Sequence, residues 1–336
     1  MASLDISLGA LMLLVALALA FDFMNGFHDA ANSIATVVST RVLKPHQAVI
    51  WAAVFNVIAI LVFQLKVAST IGKGTIDPTI VDQYVIFGAL IGAIAWNIIT
   101  WYYGIPSSSS HALIGGLVGS AIAKAGFGAL VWGGVGKAVL FIFLAPLLGF
   151  ALGGTIMVIV AWVCHRVPAG RADNVFRRLQ LISAAMYSLG HGGNDAQKTI
   201  GIIWMLLIAA NLSDPSLGRP DTWVIVSCYL SMGLGTLFGG WRIVRTMGQR
   251  ITKLDQPRGF SANFGGALTL FMATGLGIPV STTHTITGAI AGVGSTRGAR
   301  NVRWGVAGGI VWAWILTIPA SALISAVAWW AAHFLM

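Results

Sequence analysis

The sequence predicts an all-α integral membrane protein built from two inverted-topology repeats. Each repeat has three crossings, the first of them broken, plus a re-entrant helical hairpin. Three observations lead there. Of 336 residues, 57% are hydrophobic and 9% charged, and mean hydropathy is +0.84; a soluble domain carries about 25% charge. Two unlike motifs recur in the same order. FDFMNGFHDAANS (21–33) returns as SLGHGGNDAQKT (188–199), where an offset of 166 puts Asp29 on Asp195, Asn25 on His191, Asn32 on Lys198 and Ser33 on Thr199. GIPSSSSHALIGGLVG (104–119) returns as GIPVSTTHTITGAIAG (277–292) at an offset of 173, with Pro106 on Pro279, Ser108 on Ser281 and His111 on His284. Such recurrence marks an internal duplication. The third observation is charge placement: loops around 41–46, 166–178, 242–258 and 297–303 hold 14 of the 20 basic residues. By the positive-inside rule these loops face the cytoplasm and both termini face out. Three crossings per half is an odd number, so the halves have opposite orientation, and paired interrupted segments of this kind point to a transport site.

The elements follow in order. The first half is residues 1–165. It opens with a segment from about Leu8 to Thr40, expected to break near Gly26, followed by an apolar stretch Ala48–Leu65. A loop Lys66–Asp82 without net charge comes next. Tyr84–Tyr103 and Ser110–Ala123 flank Pro106 as a hairpin entering from outside, and Leu130–Val163 closes the half. Residues 166–178, with four arginines, form a cytoplasmic linker. The second half, 179–336, opens with Leu179–Asn211, expected to be interrupted around Gly190–Gly193. Trp223–Gly240 crosses back, Phe260–Leu276 and Ser281–Gly294 flank Pro279, and Trp304–Leu335 ends the chain. Small residues four apart, such as Gly115 with Gly119 and Gly288 with Gly292, permit close helix contact.

Candidate functional residues lie where polar groups interrupt hydrocarbon. Asp22, Asn25, Asp29 and Asn32 follow i, i+3, i+7, i+10 and share one helix face. A carboxylate in a bilayer costs several kcal/mol unless partnered. After Pro106 come Ser107, Ser108, Ser109 and Ser110; after Pro279 come Ser281, Thr282 and Thr283. Each run starts a half-helix, so hydroxyls and free backbone N–H groups converge as an anion requires. Asn25, Asn32, Asn194, Lys198 and Thr199 supply further donors. Asp22, Asp29 and Asp195 would repel an anion while ionised, so they need protons, a cation or Lys198 as partner. That requirement is a physical basis for coupling. His28, His111, His191 and His284 are candidate proton carriers, the last three as coupling residues.

The same residues exclude other classes. The net charge of +10 lies in short loops between apolar runs, so nucleic acid is not an expected partner and the lipid bilayer is. Cys164 and Cys228 have no metal spacing, and no glycine-rich stretch is a nucleotide loop, so neither a metal nor a cofactor is expected. Two intramembrane aspartates also fit an aspartyl protease, but that chemistry leaves Lys198 and the hydroxyl-rich hairpins without a role.

These motifs resemble a known family. GFHDAANS and GHGGNDAQKTIG are similar to the duplicated signature of inorganic phosphate transporters of the PiT family, and PSSSSHALIGG and PVSTTHTITGA resemble its hairpin tips. The similarity runs from about Phe21 to Trp314. It implies an inverted-repeat secondary transporter in the inner membrane that imports phosphate, with arsenate as mimic, by cation symport. The anion could also travel as a metal–phosphate complex. Sodium-driven members of the family tend to carry Asn-Asp-x-x-Asn in both halves. Here the first half has His28-Asp29-x-x-Asn32 and the second Asn194-Asp195-x-x-Lys198. An ammonium at Lys198 would occupy the place of a sodium ion, so protons rather than sodium are the expected coupling ion. The nearest alternative within the family is a sulfate permease; sulfate lacks the proton that Asp29 or Asp195 could accept from phosphate. A homodimer is one expected assembly.

Overall fold

The computed structural model describes residues 6–214, 216 and 218–335, apart from the side chains of residues 72 and 73. Most of these residues are helical, with turns and loops between the helices and no strand among them. The first half contains α1 (Leu8–Ser39), α2 (Pro45–Ile58), α3 (Lys66–Gly74), α4 (Gln83–Tyr103), α5 (Ser109–Ala125) and α6 (Trp132–Val163). The second half runs α7 (Ala169–Ala209), α8 (Thr222–Phe238), α9 (Trp241–Arg245), α10 (Gln256–Gly275), α11 (Thr282–Ser295) and α12 (Trp304–Leu335). The helix starts repeat as well: Asp82 and Asp255 cap α4 and α10, and Ser108 and Ser281 cap α5 and α11.

Helices α1, α4, α6 and α12 are long and apolar enough to cross a membrane. Their outer faces carry large exposed apolar side chains, among them Leu147, Val158 and Trp162 on α6 and Trp312, Leu323 and Val327 on α12. Water would penalise such faces and lipid accepts them. Inside lie two apolar clusters. One gathers the first half of α1 (Leu11, Leu14, Phe21) with α4, α5, α8 and the C-terminal half of α7 (Ile200, Ile203, Leu206). The other gathers the second half of α1 (Ile34, Ala35, Val37) with α2, α10, α11 and the N-terminal half of α7 (Ala184, Tyr187). Helices α1 and α7 therefore run in opposite senses between the clusters, and their polar motifs lie in the layer between.

The halves are interlocked. Helix α12 packs on α4 and α5, and α6 packs on α10 and α11. At those crossings a Cβ on Gly115 or Gly119 would collide with the backbone of Ile318 or Ala322. A Cβ on Gly288 or Gly292 would collide with Pro146 or Phe150. The hairpin turns are held across the halves too. Gly104 and Gly277 take left-handed conformations, φ 66° and 70°. Thr246 donates to the Gly104 carbonyl (2.9 Å) and Thr70 to that of Gly277 (2.8 Å).

Three expectations need correction. Helices α1 and α7 run unbroken through Gly26 and Gly190–Gly193. These glycines serve contact instead, Gly26 against the Met232 backbone and Gly192 against that of Asn56. The stretch Lys66–Asp82 is not all loop: α3 buries Val67, Ala68 and Ile71, and its first N–H groups are capped by Gln197 of α7 (2.9 Å from Val67). Finally, α4 is long enough to cross completely, so the serine run sits on the stretch returning from the turn at Gly104 rather than at the turn.

Candidate functional site

The N-termini of α5 and α11 meet in the middle of the molecule, against the polar motifs of α1 and α7. The imidazoles of His111 and His284, each in a first helical turn, lie 4.8 Å apart, and His284 stacks on Trp314. Every site residue named from the sequence is at most 3% exposed, so the site is closed on all sides.

Proline before a hydroxyl-rich run explains the local structure. Pro106 and Pro279 keep the chain extended, Ser108 and Ser281 become N-caps, and the helices begin one residue later. The two caps accept from the backbone N–H of His111 and His284, each at 3.2 Å. Each capping hydroxyl still has its own hydrogen to donate. Ser109 is different: its hydroxyl is buried and has no hydrogen-bond partner among the described residues.

Around these termini the polar groups reach across the halves. Lys198 donates to Asp195 Oδ1 (2.5 Å), to the carbonyl of Val280 (2.9 Å) and to the hydroxyl of Ser110. Asn32, its equivalent, donates to Thr283 (2.9 Å) and Thr282 (3.2 Å). Thr282 in turn donates to Asp195 Oδ2 (3.1 Å). Asp29 pairs with Nδ1 of His28 (2.8 Å), and Thr283 lies 3.4 Å away. His191 approaches Asp195 at 3.4 Å. Thus Asp29 of α1 joins His191 and Asp195, one turn apart on α7, and the three present ligand atoms all within 4.8 Å of one another. That geometry admits a small cation or shared protons. The ammonium of Lys198 already occupies part of it.

Other expected residues take different places. Asp22 accepts from Thr199 (2.9 Å), a turn or more from the Asp29–Asp195 cluster along α1. One oxygen of Asp22 and the Oδ1 of Asn25 are buried without a hydrogen-bond partner among the described residues. Asn194 turns to the second hairpin, donating to Thr274 (3.0 Å) and the carbonyl of Ile278 (3.2 Å) and accepting from Val280 N–H (3.2 Å). Ser107 donates to Thr100 (3.0 Å). Sequence reasoning passed over Thr100, Thr274, Asn56 and Tyr187. Thr100 meets His28 (3.0 Å), Asn56 meets His191 (3.2 Å), and Tyr187 donates to the Thr282 carbonyl (2.7 Å). One signal was available: the offset of 166 puts His28 on Asn194, and each bonds a threonine on the first arm of its own hairpin.

A twofold arrangement of helix N-termini, hydroxyls, one fixed ammonium and two carboxylates is chemistry for an oxyanion accompanied by positive charge. It is not a proton-sharing carboxylate dyad, because Asp195 is taken up by Lys198.

Comparison with known proteins agrees. A family model described as the phosphate transporter family matches residues 25–325. A protein of Rhizobium meliloti called a probable low-affinity inorganic phosphate transporter is 60% identical over 95% of this chain and 95% of its own. A Bacillus subtilis protein of the same description is 47% identical over 97% and 98%. A solved structure described as the sodium-dependent phosphate transporter superposes with a TM-score of 0.88 at 25% identity, covering 98% of this chain and 100% of its own. With four motifs in order, matching fold and matching relatives, the chain belongs to the phosphate transporter family, whose members are transporters and not enzymes.

Proposed function

We propose that this protein imports inorganic phosphate by proton symport through two inverted repeats, residues 1–165 and 179–336 joined by a cytoplasmic linker at 166–178. The observation that carries the reading is the position of Lys198, ion-paired with Asp195 and bonded to the hydroxyl run of the opposite hairpin. The anion lies between the N-termini of α5 and α11, where helix dipoles and the hydroxyls of Ser109, Ser110, Thr282 and Thr283 face it. Lys198 supplies the charge that a bound sodium ion would otherwise bring. Asp29 accepts the proton that lowers its repulsion, Lys198 offsets the charge of Asp195, and His111, His191 and His284 stand beside that path. Arsenate, with the same shape and charge, competes. The solved relative is described as sodium-dependent, and in this chain Lys198 puts an ammonium where the first repeat has the carboxamide of Asn32. The opposed directions of α1 and α7 support the inverted arrangement.

Hydroxyls with and without an internal partner give a direct test of binding. Ser109→Ala weakens apparent phosphate affinity by about 1–3 kcal/mol, roughly five- to a hundred-and-fiftyfold, and leaves thermal stability unchanged. Ser108→Ala removes a helix cap as well and lowers stability by about 1 kcal/mol. Radiolabelled uptake in liposomes and thermal unfolding in detergent read the two effects. Unchanged affinity in Ser109→Ala would place the anion elsewhere.

Topology is tested by single cysteines at Thr79 and Asn174, both exposed, in a variant lacking Cys164 and Cys228. An impermeant maleimide labels Thr79→Cys from outside and Asn174→Cys only after permeabilisation. Labelling of both from one side sinks the inverted arrangement.

A further inference from the structure

A second basic site lies away from the central one, where the turn of the first hairpin meets α9. A cavity of about 320 Å³ is lined by Arg242, Arg245 and Arg250 together with Tyr102, Tyr103 and Trp241, and no carboxylate lines it. All three arginines are exposed. Three guanidinium groups around one cavity repel one another unless an anion joins them, and their planar forks suit phosphate oxygens. Arg242 is already fixed in place. It donates to the carbonyl of Tyr102, and its guanidinium carbon lies 5.5 Å over the Trp101 ring and 4.9 Å over that of Tyr102.

The surroundings decide between anions. Two of the rings that line the cavity are more than half open, Tyr102 at 58% and Tyr103 at 70%, and Trp241 is 41% exposed, as aromatic side chains are at a membrane interface. On the helices that lead away from it, α4 exposes Ile98 and Ile99, and α8 exposes Leu234, Leu237 and Phe238. A free phosphate ion would meet the arginines alone. A molecule with a phosphate head and hydrocarbon chains would meet both surfaces, and basic pockets between helices on the cytoplasmic side recognise such headgroups.

We propose that this cavity binds the phosphate of an anionic phospholipid headgroup, with the acyl chains along the exposed faces of α4 and α8. The site is joined to the transport site by the first hairpin. Arg242 holds the Tyr102 carbonyl and Thr246 the Gly104 carbonyl, three residues before the serine run begins. A lipid held there fixes the turn from which Ser107–Ser110 return to the centre, so anionic lipid raises uptake.

The test uses the full-length protein, delipidated and offered phosphatidylglycerol or phosphatidylcholine, with bound lipid counted by native mass spectrometry. Wild type retains phosphatidylglycerol over phosphatidylcholine, and Arg245→Gln with Arg250→Gln weakens that retention about tenfold or more by removing two charge-assisted contacts. Arg242 is left intact because it also holds the turn, and each single variant is measured too, so that a poorly folding double variant does not decide the result. Arg300→Gln with Arg303→Gln, on a different basic surface, serves as control and leaves the difference in place. Equal retention by the Arg245/Arg250 variants overturns the proposal, as does an equal loss in the control. Displacement of the lipid by millimolar inorganic phosphate also overturns it, by making the cavity a free-anion site.

Discussion

Replacing Lys198 with methionine, which keeps the volume and removes the charge, abolishes most phosphate uptake and destabilises the protein. Lys198 is 1% exposed and all three donors of its ammonium are engaged, on Asp195, Ser110 and Val280. Breaking a buried pair from one side leaves an uncompensated carboxylate and costs about 3–5 kcal/mol. The lost attraction for the anion comes on top of this. A charge pair 4 Å apart is worth about 4 kcal/mol at an effective dielectric constant of 20, and a third of that is already a tenfold loss of affinity. The double variant Asp195→Asn with Lys198→Met separates the two effects. It recovers most of the thermal stability, since both charges are gone, but not the uptake. Wild-type uptake in the double variant would reduce Lys198 to a structural partner of Asp195.

The second large effect is on folding. Gly119→Ala and Gly292→Ala each lower stability by about 2–3 kcal/mol or more, despite the better helix propensity of alanine. The new methyl would overlap backbone atoms of Ala322 in one case and of Phe150 in the other, and backbone cannot swing aside as a side chain can. The two sites are equivalent, α5 on α12 and α11 on α6, so their effects should match. Gly309→Ala on α12 is the control. Nothing lies within 4 Å of its added methyl, and the change stabilises by about 0.5–1 kcal/mol. Thermal unfolding in a fixed detergent measures all three, and an unchanged midpoint for Gly119→Ala would contradict the interlocked packing.

Much of the site was legible because its grammar is local. Four polar residues on one face of an apolar helix, and proline followed by hydroxyls, carry their meaning within a few positions, and the duplication doubled each signal. What stayed hidden depends on partners far along the chain. Glycines at 26 and 190–193 read as helix breaks, yet a helix packed tightly against another backbone needs glycine for the opposite reason. Helix α3 read as loop because its first turn is capped by Gln197, 130 residues away. Asn194 read as an open carboxamide like Asn32, but the hairpin turn of its own half engages its oxygen and nitrogen. The approach of Asp29 to His191 and Asp195 required two long helices to cross at the right depth, which no spacing encodes.

In the proposed mechanism Lys198 replaces a coupling cation, so that only protons need accompany phosphate. Its most direct test is uptake of radiolabelled phosphate into proteoliposomes in which the pH and sodium gradients are set independently. Accumulation is expected to follow an inward proton gradient and to be indifferent to sodium on either side. Accumulation driven by sodium alone, with no pH gradient, would contradict it.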